Sequence, residues 1–332
     1  MAMEFRVETG ARTRPAESPS IRAGTPDLDE FRDLISAQIR ERLQGAPHIP
    51  VRLLNAARDG TLMGKRIRPY LLYLIAGKSA PQAALDAGVA LEMMHSASLI
   101  LDDLPAMDNA ELRRGKPTLH RTYGEATAIL TAIGLISEAT RIVAELPGVT
   151  DDRRLQLVAI LNRAIGFEGL SSGQELDLNG FAEGDLPGTD RGAATSQARI
   201  ERVNALKTCV LLQAAVEMGA VLAGHDARTR SSLSGFAEHL GHAFQIADDL
   251  GDAFLTREAA GKDTGKDGAK ETYLAAFGTQ AALAHCHALL ASASAALAQG
   301  ELDAGRFEPL MSRVFVPVLD ATNAALADQV RA

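Results

Sequence analysis

The chain has 332 residues, 34 of them basic and 42 acidic, for a formal charge of −8. That balance, with no basic block able to follow a phosphate backbone, argues against a nucleic-acid partner. The absence of Trp, the 4% aromatic content and the abundance of Ala and Leu disfavour sheets, so an all-α fold is expected.

Met1 to Asp27 mixes Arg, Glu, Ser, Pro and Gly without an apolar stretch and reads as a flexible tail over 1–27. Glu4, Glu8 and Glu17 argue against an organelle transit peptide. Helix-period patterns then run over 28–44, 51–60, 67–76, 81–104, 124–144, 151–180, 194–224, 226–255, 270–299 and 306–331. Two Gly- and Asp-rich stretches, 181–192 and 257–268, read as loops, which leaves one helical domain over 28–332. No run reaches about eighteen uninterrupted apolar residues, so no transmembrane segment is expected; Gln213 and Glu217 interrupt the run from Cys209 to Ala223. Cys209 and Cys286 lack the spacing that structural zinc needs and read as buried thiols in a reducing cytoplasm.

Two acidic clusters carry the chemistry. Asp102, Asp103 and Asp108 follow an unbroken apolar helix. On a straight helix Asp102 and Asp108 would point apart, but Pro105 breaks the ladder and can bring Asp108 back. In the second cluster, Asp248 and Asp252 share a helical face at i, i+4. Unshielded carboxylates repel, and oxygen ligands are what magnesium prefers, so the two clusters together point to a multi-metal diphosphate site. Short basic groups, Gly64-Lys65-Arg66-Ile67-Arg68, Arg113-Arg114 and the lysines from Lys262 to Lys270, fit small anionic ligands.

In these motifs the sequence resembles the trans-prenyl diphosphate synthases. The segment Leu101-Asp102-Asp103-Leu104-Pro105-Ala106-Met107-Asp108 through Arg113-Arg114-Gly115 is similar to their first aspartate-rich motif, and Asp248-Asp249…Asp252 to their second. Gly64 to Pro69, Gly173-Gln174…Asp177, Lys207-Thr208 and Gly261-Lys262 with Lys270 fall in the family's order. Ala132-Ile133, where many members carry Gly-Asp, is similar to the carotenoid-pathway geranylgeranyl synthases.

The resemblance implies long antiparallel helices around a deep cavity, with the acidic motifs facing each other at its mouth. Three Mg²⁺ ions would be held by Asp102, Asp103, Asp108, Asp248 and Asp249, with Asp252 acting through water. It gives Arg113, Lys207, Lys262 and Lys270 to the allylic diphosphate, although Ala269 stands where the family has Gly before Lys270. Lys65, Arg68, His95 and Arg114 fall to isopentenyl diphosphate; without the resemblance, His95 would read as a satisfied core residue. Thr208, the Lys207 carbonyl, Gln174 and Gln245 would supply dipoles toward the allylic cation, and Phe244 would face the isopentenyl side with Gln245. Met94, Ala97 and Ser98 would line the growing chain, where a small Ala97 fits a C20 product over C15 or longer ones. A homodimer is implied as well. A terpene cyclase would lack the second Asp pair, and a non-catalytic partner subunit would have lost part of this set.

Overall fold

Capping and turn chemistry explain where the helices start and stop in the computed structural model, which describes residues 25–45, 48–77, 79–185, 196–255 and 273–331. Helix α1 (Leu28–Arg42) opens on a capping box: Asp27 Oδ1 accepts the Glu30 amide at 2.8 Å and Glu30 Oε2 the Asp27 amide at 3.3 Å. Helices α2 (Val51–Thr61) and α3 (Ile67–Ala76) follow, α3 with the expected bounds. Helix α4 (Pro81–Asp102) starts with Pro at its first position, where a missing N–H costs nothing. Every residue from 83 to 94 is buried, so α4 is a central helix rather than an amphipathic surface one.

Around α4 lie α1, α2, α3, α6 (Glu125–Ala144), α7 (Asp151–Ile165) and α10 (Val210–Ala223). Helix α5 (Leu119–Tyr123) packs on α2 and α6, and α8 (Leu170–Asn179) packs on α9 (Ser196–Asn204) and the π-turn Ala205–Cys209. Helix α11 (Ala227–Phe254), capped by Asp226 on the Thr229 amide at 2.8 Å, packs against α10, α12 (Tyr273–Phe277), α13 (Thr279–Gln299) and α14 (Glu308–Arg331). Buried apolar residues from Phe31 to Leu319 join in one cluster. The all-α expectation holds; the only strands among the described residues are Leu112–Arg113 and Lys116–Pro117, a two-residue hairpin. Arg114 (φ 54°) and Gly115 (φ 75°) form its turn, both left-handed as a type I′ hairpin requires.

Two expected helices are broken and a third is locally rewound. The stretch 151–180 divides at Gly166 to Gly169, where a Cβ on Gly169 would sit 2.3 Å from the Ala164 carbonyl oxygen. The stretch 194–224 keeps its course but takes in the π-turn. In 270–299, Gly278 at φ 82° separates α12 from α13. The proposed tail falls almost wholly outside the described residues; at its end the Tyr70 hydroxyl already donates to the Pro26 carbonyl at 2.9 Å.

Four helical stretches, Pro81–Asp102, Glu125–Ala144, Gln197–Ala223 and Thr279–Gln299, are long and apolar enough on average to cross a membrane. None of them is an uninterrupted apolar run; Ala keeps the mean hydropathy high around isolated polar residues. In the first and third, most of that apolar surface is buried against neighbouring helices.

Candidate active site

The first acidic motif caps α4. Asp103 closes the helix, Pro105 prevents its continuation, and the chain doubles back with Asn109 in the left-handed region. The Asp108 amide then donates to the Asp102 carbonyl at 3.0 Å and the Ala110 amide to the Asp103 carbonyl at 3.2 Å, which returns Asp108 to the helix end. Arg113, on the hairpin, donates through Nε to both Asp103 oxygens at 3.0 and 3.3 Å and through Nη2 to Oδ1 at 2.5 Å; Nη2 also lies 3.6 Å from Asp102 Oδ2. Burial pushes the Asp103 carboxyl up against the pull of Arg113. Burial also opposes the Arg113 charge, but Asp103, Asp102 and Asp108 outweigh it and raise its pKa.

Helix α8 and the π-turn approach the same carboxylates. Gln174 Nε2 donates to Asp102 Oδ1 at 2.5 Å and lies 3.8 Å from Met107 Sδ. Lys207 Nζ donates to Asp177 Oδ2 at 2.6 Å and sits 3.6 Å from Asp102 Oδ1. Gly173 allows this approach, since a Cβ there would lie 2.6 Å from the Lys207 amide nitrogen. Next in sequence, Thr208 turns the other way: its hydroxyl donates to Gln245 Oε1 at 2.7 Å, and Gln245 Nε2 donates to Asp249 Oδ1 at 2.9 Å. Two adjacent side chains of one π-turn thus address both acidic motifs, and π-turns recur at functional sites.

Helix α11 divides the second motif between two faces. Asp249 lies with Gln245 toward the π-turn, whereas Asp248 and Asp252 line a cavity of about 310 Å³ with Phe244, Lys65, Arg32 and Arg313. Gln245 and Phe244, expected together on the isopentenyl side, are therefore on different sides of the helix. Phe244 lies under the Arg68 guanidinium, 5.9 Å from ring centroid to Cζ.

Arg68 Nη1 is 3.4 Å from His95 Nε2, so His95 accepts there and carries its proton on Nδ1. Burial, then Arg68, Arg114, Arg113 and Arg66, hold His95 well below the usual histidine range. Burial likewise lowers the Arg68 and Arg114 pKa values, and in both Glu92 is the strongest opposing influence. Two residues outside the expected set shape this cluster. Arg66, fully buried, donates to Glu92 Oε1 at 2.5 Å and to the Thr61 carbonyl at 2.7 Å. The available signal was Glu92 itself, an acid in the otherwise apolar run from Gly88 to Met94 that leads to His95.

Met94 and Ala97 are fully buried on α4, and Ser98 turns its hydroxyl onto the His95 carbonyl at 2.8 Å. Lys262 and Lys270 lie outside the described residues. Among the described residues, no three acidic, His or Cys side chains already converge as a metal cage. The Asp102 and Asp103 carboxylates are instead turned onto Arg113, Lys207 and Gln174, and their all-oxygen donor set is the one magnesium accepts.

The fold is a helical one in which the two aspartate clusters are linked through the π-turn, by Lys207 to Asp102 and by Thr208 and Gln245 to Asp249. The polyprenyl synthetase family model matches residues 51–301, and the chain belongs to that family. It is 41% identical to the geranylgeranyl diphosphate synthase of Pantoea ananas over 231 residues, 68% of this chain and 72% of that one. It is 40% identical to the farnesyl diphosphate synthase of Geobacillus stearothermophilus over 235 residues, 68% and 73% of the two chains. Among solved structures it is similar to a farnesyl/geranylfarnesyl diphosphate synthase from Zymomonas mobilis, with a TM-score of 0.73, 31% identity and coverage of 88% and 97%.

Proposed function

We propose that this chain is a magnesium-dependent prenyltransferase that condenses isopentenyl diphosphate with allylic diphosphates, giving mainly geranylgeranyl diphosphate. The observation that carries this reading is the π-turn, from which Lys207 reaches the first acidic motif and Thr208, through Gln245, the second. Asp102, Asp103, Asp108, Asp248 and Asp249, with Asp252 through water, would hold three Mg²⁺ ions, whose charge stabilises the departing diphosphate when they are bound.

Arg113 and Lys207 hand their carboxylates over and take allylic phosphate oxygens, joined by Lys262 and Lys270. The allylic C–O bond breaks with both electrons leaving on diphosphate. Thr208, the Lys207 carbonyl, Gln174 and Gln245 face the resulting cation with dipoles rather than nucleophiles. The isopentenyl π pair forms the new C–C bond, and the proton goes to the released diphosphate, so no side chain serves as base. Lys65, Arg68, His95 and Arg114 bind the isopentenyl diphosphate without metal, with arginine forks suited to phosphate oxygens.

Met94, Ala97 and Ser98 form the wall along which the product grows. Farnesyl diphosphate is the second reading, supported by the relative at 40% identity. The domain spans 28–332 and acts as a homodimer. Ile129, Leu130 and Ile133 expose one apolar stripe on α6, and Leu155 and Phe167 are exposed on α7 and the turn after it. Its place is the cytoplasm, in keeping with the free, buried thiols of Cys209 and Cys286. Incorporation of labelled isopentenyl diphosphate, with Mg²⁺ and an allylic primer, tests the reading. Wild type should incorporate label and Asp102→Ala or Asp248→Ala should not; near-normal turnover in either variant would contradict it.

A further inference from the structure

The isopentenyl pocket as proposed contains only cations and a neutral imidazole, yet the strongest influence on its arginines after burial is an acid. Glu92 sits on α4 three residues before His95 and is 3% exposed. Its Oε1 binds Arg66 Nη1 at 2.5 Å, and Arg66 Nη2 is anchored on the Thr61 carbonyl. Arg66 takes the left-handed φ of 56°, an uncommon conformation for a bulky residue, so its side chain turns inward while Lys65 stays exposed and Arg68 reaches His95. A Cβ on Gly64 would lie 2.9 Å from both Glu92 Oε1 and Arg114 Nη1, and 3.1 Å from Arg66 Nη1. One carboxylate and two guanidiniums therefore close on a single hollow that only glycine leaves.

Resting on the proposed function, we infer that Glu92 is a positioning residue for isopentenyl diphosphate: with Arg66 it holds Arg114 over Gly64 in the pose that grips the metal-free diphosphate. Its charge offsets the mutual repulsion of the buried Arg66 and the half-buried Arg68 and Arg114, which would otherwise drive these cations apart before the ligand arrives. Position and charge make opposite predictions. If Glu92 acted only as a negative charge near an anion, its removal would tighten binding. If it positions Arg114, its removal weakens binding.

The test measures both Michaelis constants and direct titration of isopentenyl diphosphate without added metal, in wild type and Glu92→Gln. The expected result is a rise of about tenfold or more in KM and Kd for isopentenyl diphosphate, with the allylic KM within about twofold of wild type, as one lost charge-assisted contact implies. Arg66→Lys keeps the charge but loses the fork, and should give a smaller rise in the same constants; it serves as the readout if Glu92→Gln does not fold. An unchanged or lowered isopentenyl KM, or equal effects on both substrates, overturns the inference. A wild type that does not consume isopentenyl diphosphate overturns the proposed function instead.

Discussion

Gly173→Ala probes the joint between α8 and the π-turn. The added methyl would lie 2.6 Å from the Lys207 amide nitrogen and 2.7 Å from the Leu206 carbonyl carbon, and both obstacles are backbone atoms that cannot rotate aside. Ordinary contact begins near 3.4 Å, so the two elements must separate by about 0.8 Å. Gln174 is the next residue and Lys207 is the residue struck, so this shift falls on the two groups that converge on Asp102. A displacement of that size costs on the order of 100-fold in rate when it moves positioning groups. The overpacking itself costs roughly 1–3 kcal/mol, a fall of only a few degrees in Tm for a chain of this length. Steady-state kinetics should show kcat reduced about 100-fold and the isopentenyl KM little changed, with the helical circular dichroism retained. A variant with wild-type kcat would refute the role given to the π-turn.

Arg113→Ala should raise KM for the allylic substrate more than for isopentenyl diphosphate, and Arg114→Ala the reverse, because Arg113 lies on Asp103 while Arg114 lies over Gly64; equal effects would sink the division. Ala97→Phe should shorten the main product to farnesyl diphosphate on mass spectrometry. Ala97 lies about 7.5 Å below Asp102 on α4, and each further isoprene unit gains roughly 4 kcal/mol of apolar burial only while the wall leaves room; an unchanged product would place the stop elsewhere. Stability should fall as pH drops below about 6.5, because His95 is depressed in the folded chain and the unfolded chain takes up the proton first. His225 and His242 are depressed in the same sense by burial. His95→Gln should flatten the fall in unfolding free energy between pH 7.5 and 5.5, measured by denaturant titration, by up to about 1.4 kcal/mol per pH unit; an unaltered slope would show that His95 is not the titrating group.

Much of this architecture is legible in periodicity and caps. The bounds of α3, the start of α4 behind Pro81 and the break at Pro105 follow from local rules, as does the shared face of Asp248 and Asp252. The π-turn left no local trace, because one extra residue in a helical turn is stabilised by what packs on it, here Gly173, and not by its own composition. Glu92 and Arg66 escaped for a related reason: each is costly inside the protein alone, and only their pairing across distant parts of the chain makes either tolerable. Asp249 separates from Asp248 because adjacent helical residues point about 100° apart, a distinction that reading the Asp pair as one unit conceals.

The most direct test of the central claim is mass-spectrometric product analysis of the wild type with Mg²⁺, isopentenyl diphosphate and, in turn, dimethylallyl, geranyl and farnesyl diphosphate. All three primers should be extended to geranylgeranyl diphosphate, with isopentenyl diphosphate consumed in proportion. Release of diphosphate with a cyclic hydrocarbon and no consumption of isopentenyl diphosphate, or no extension of any primer, would contradict the account.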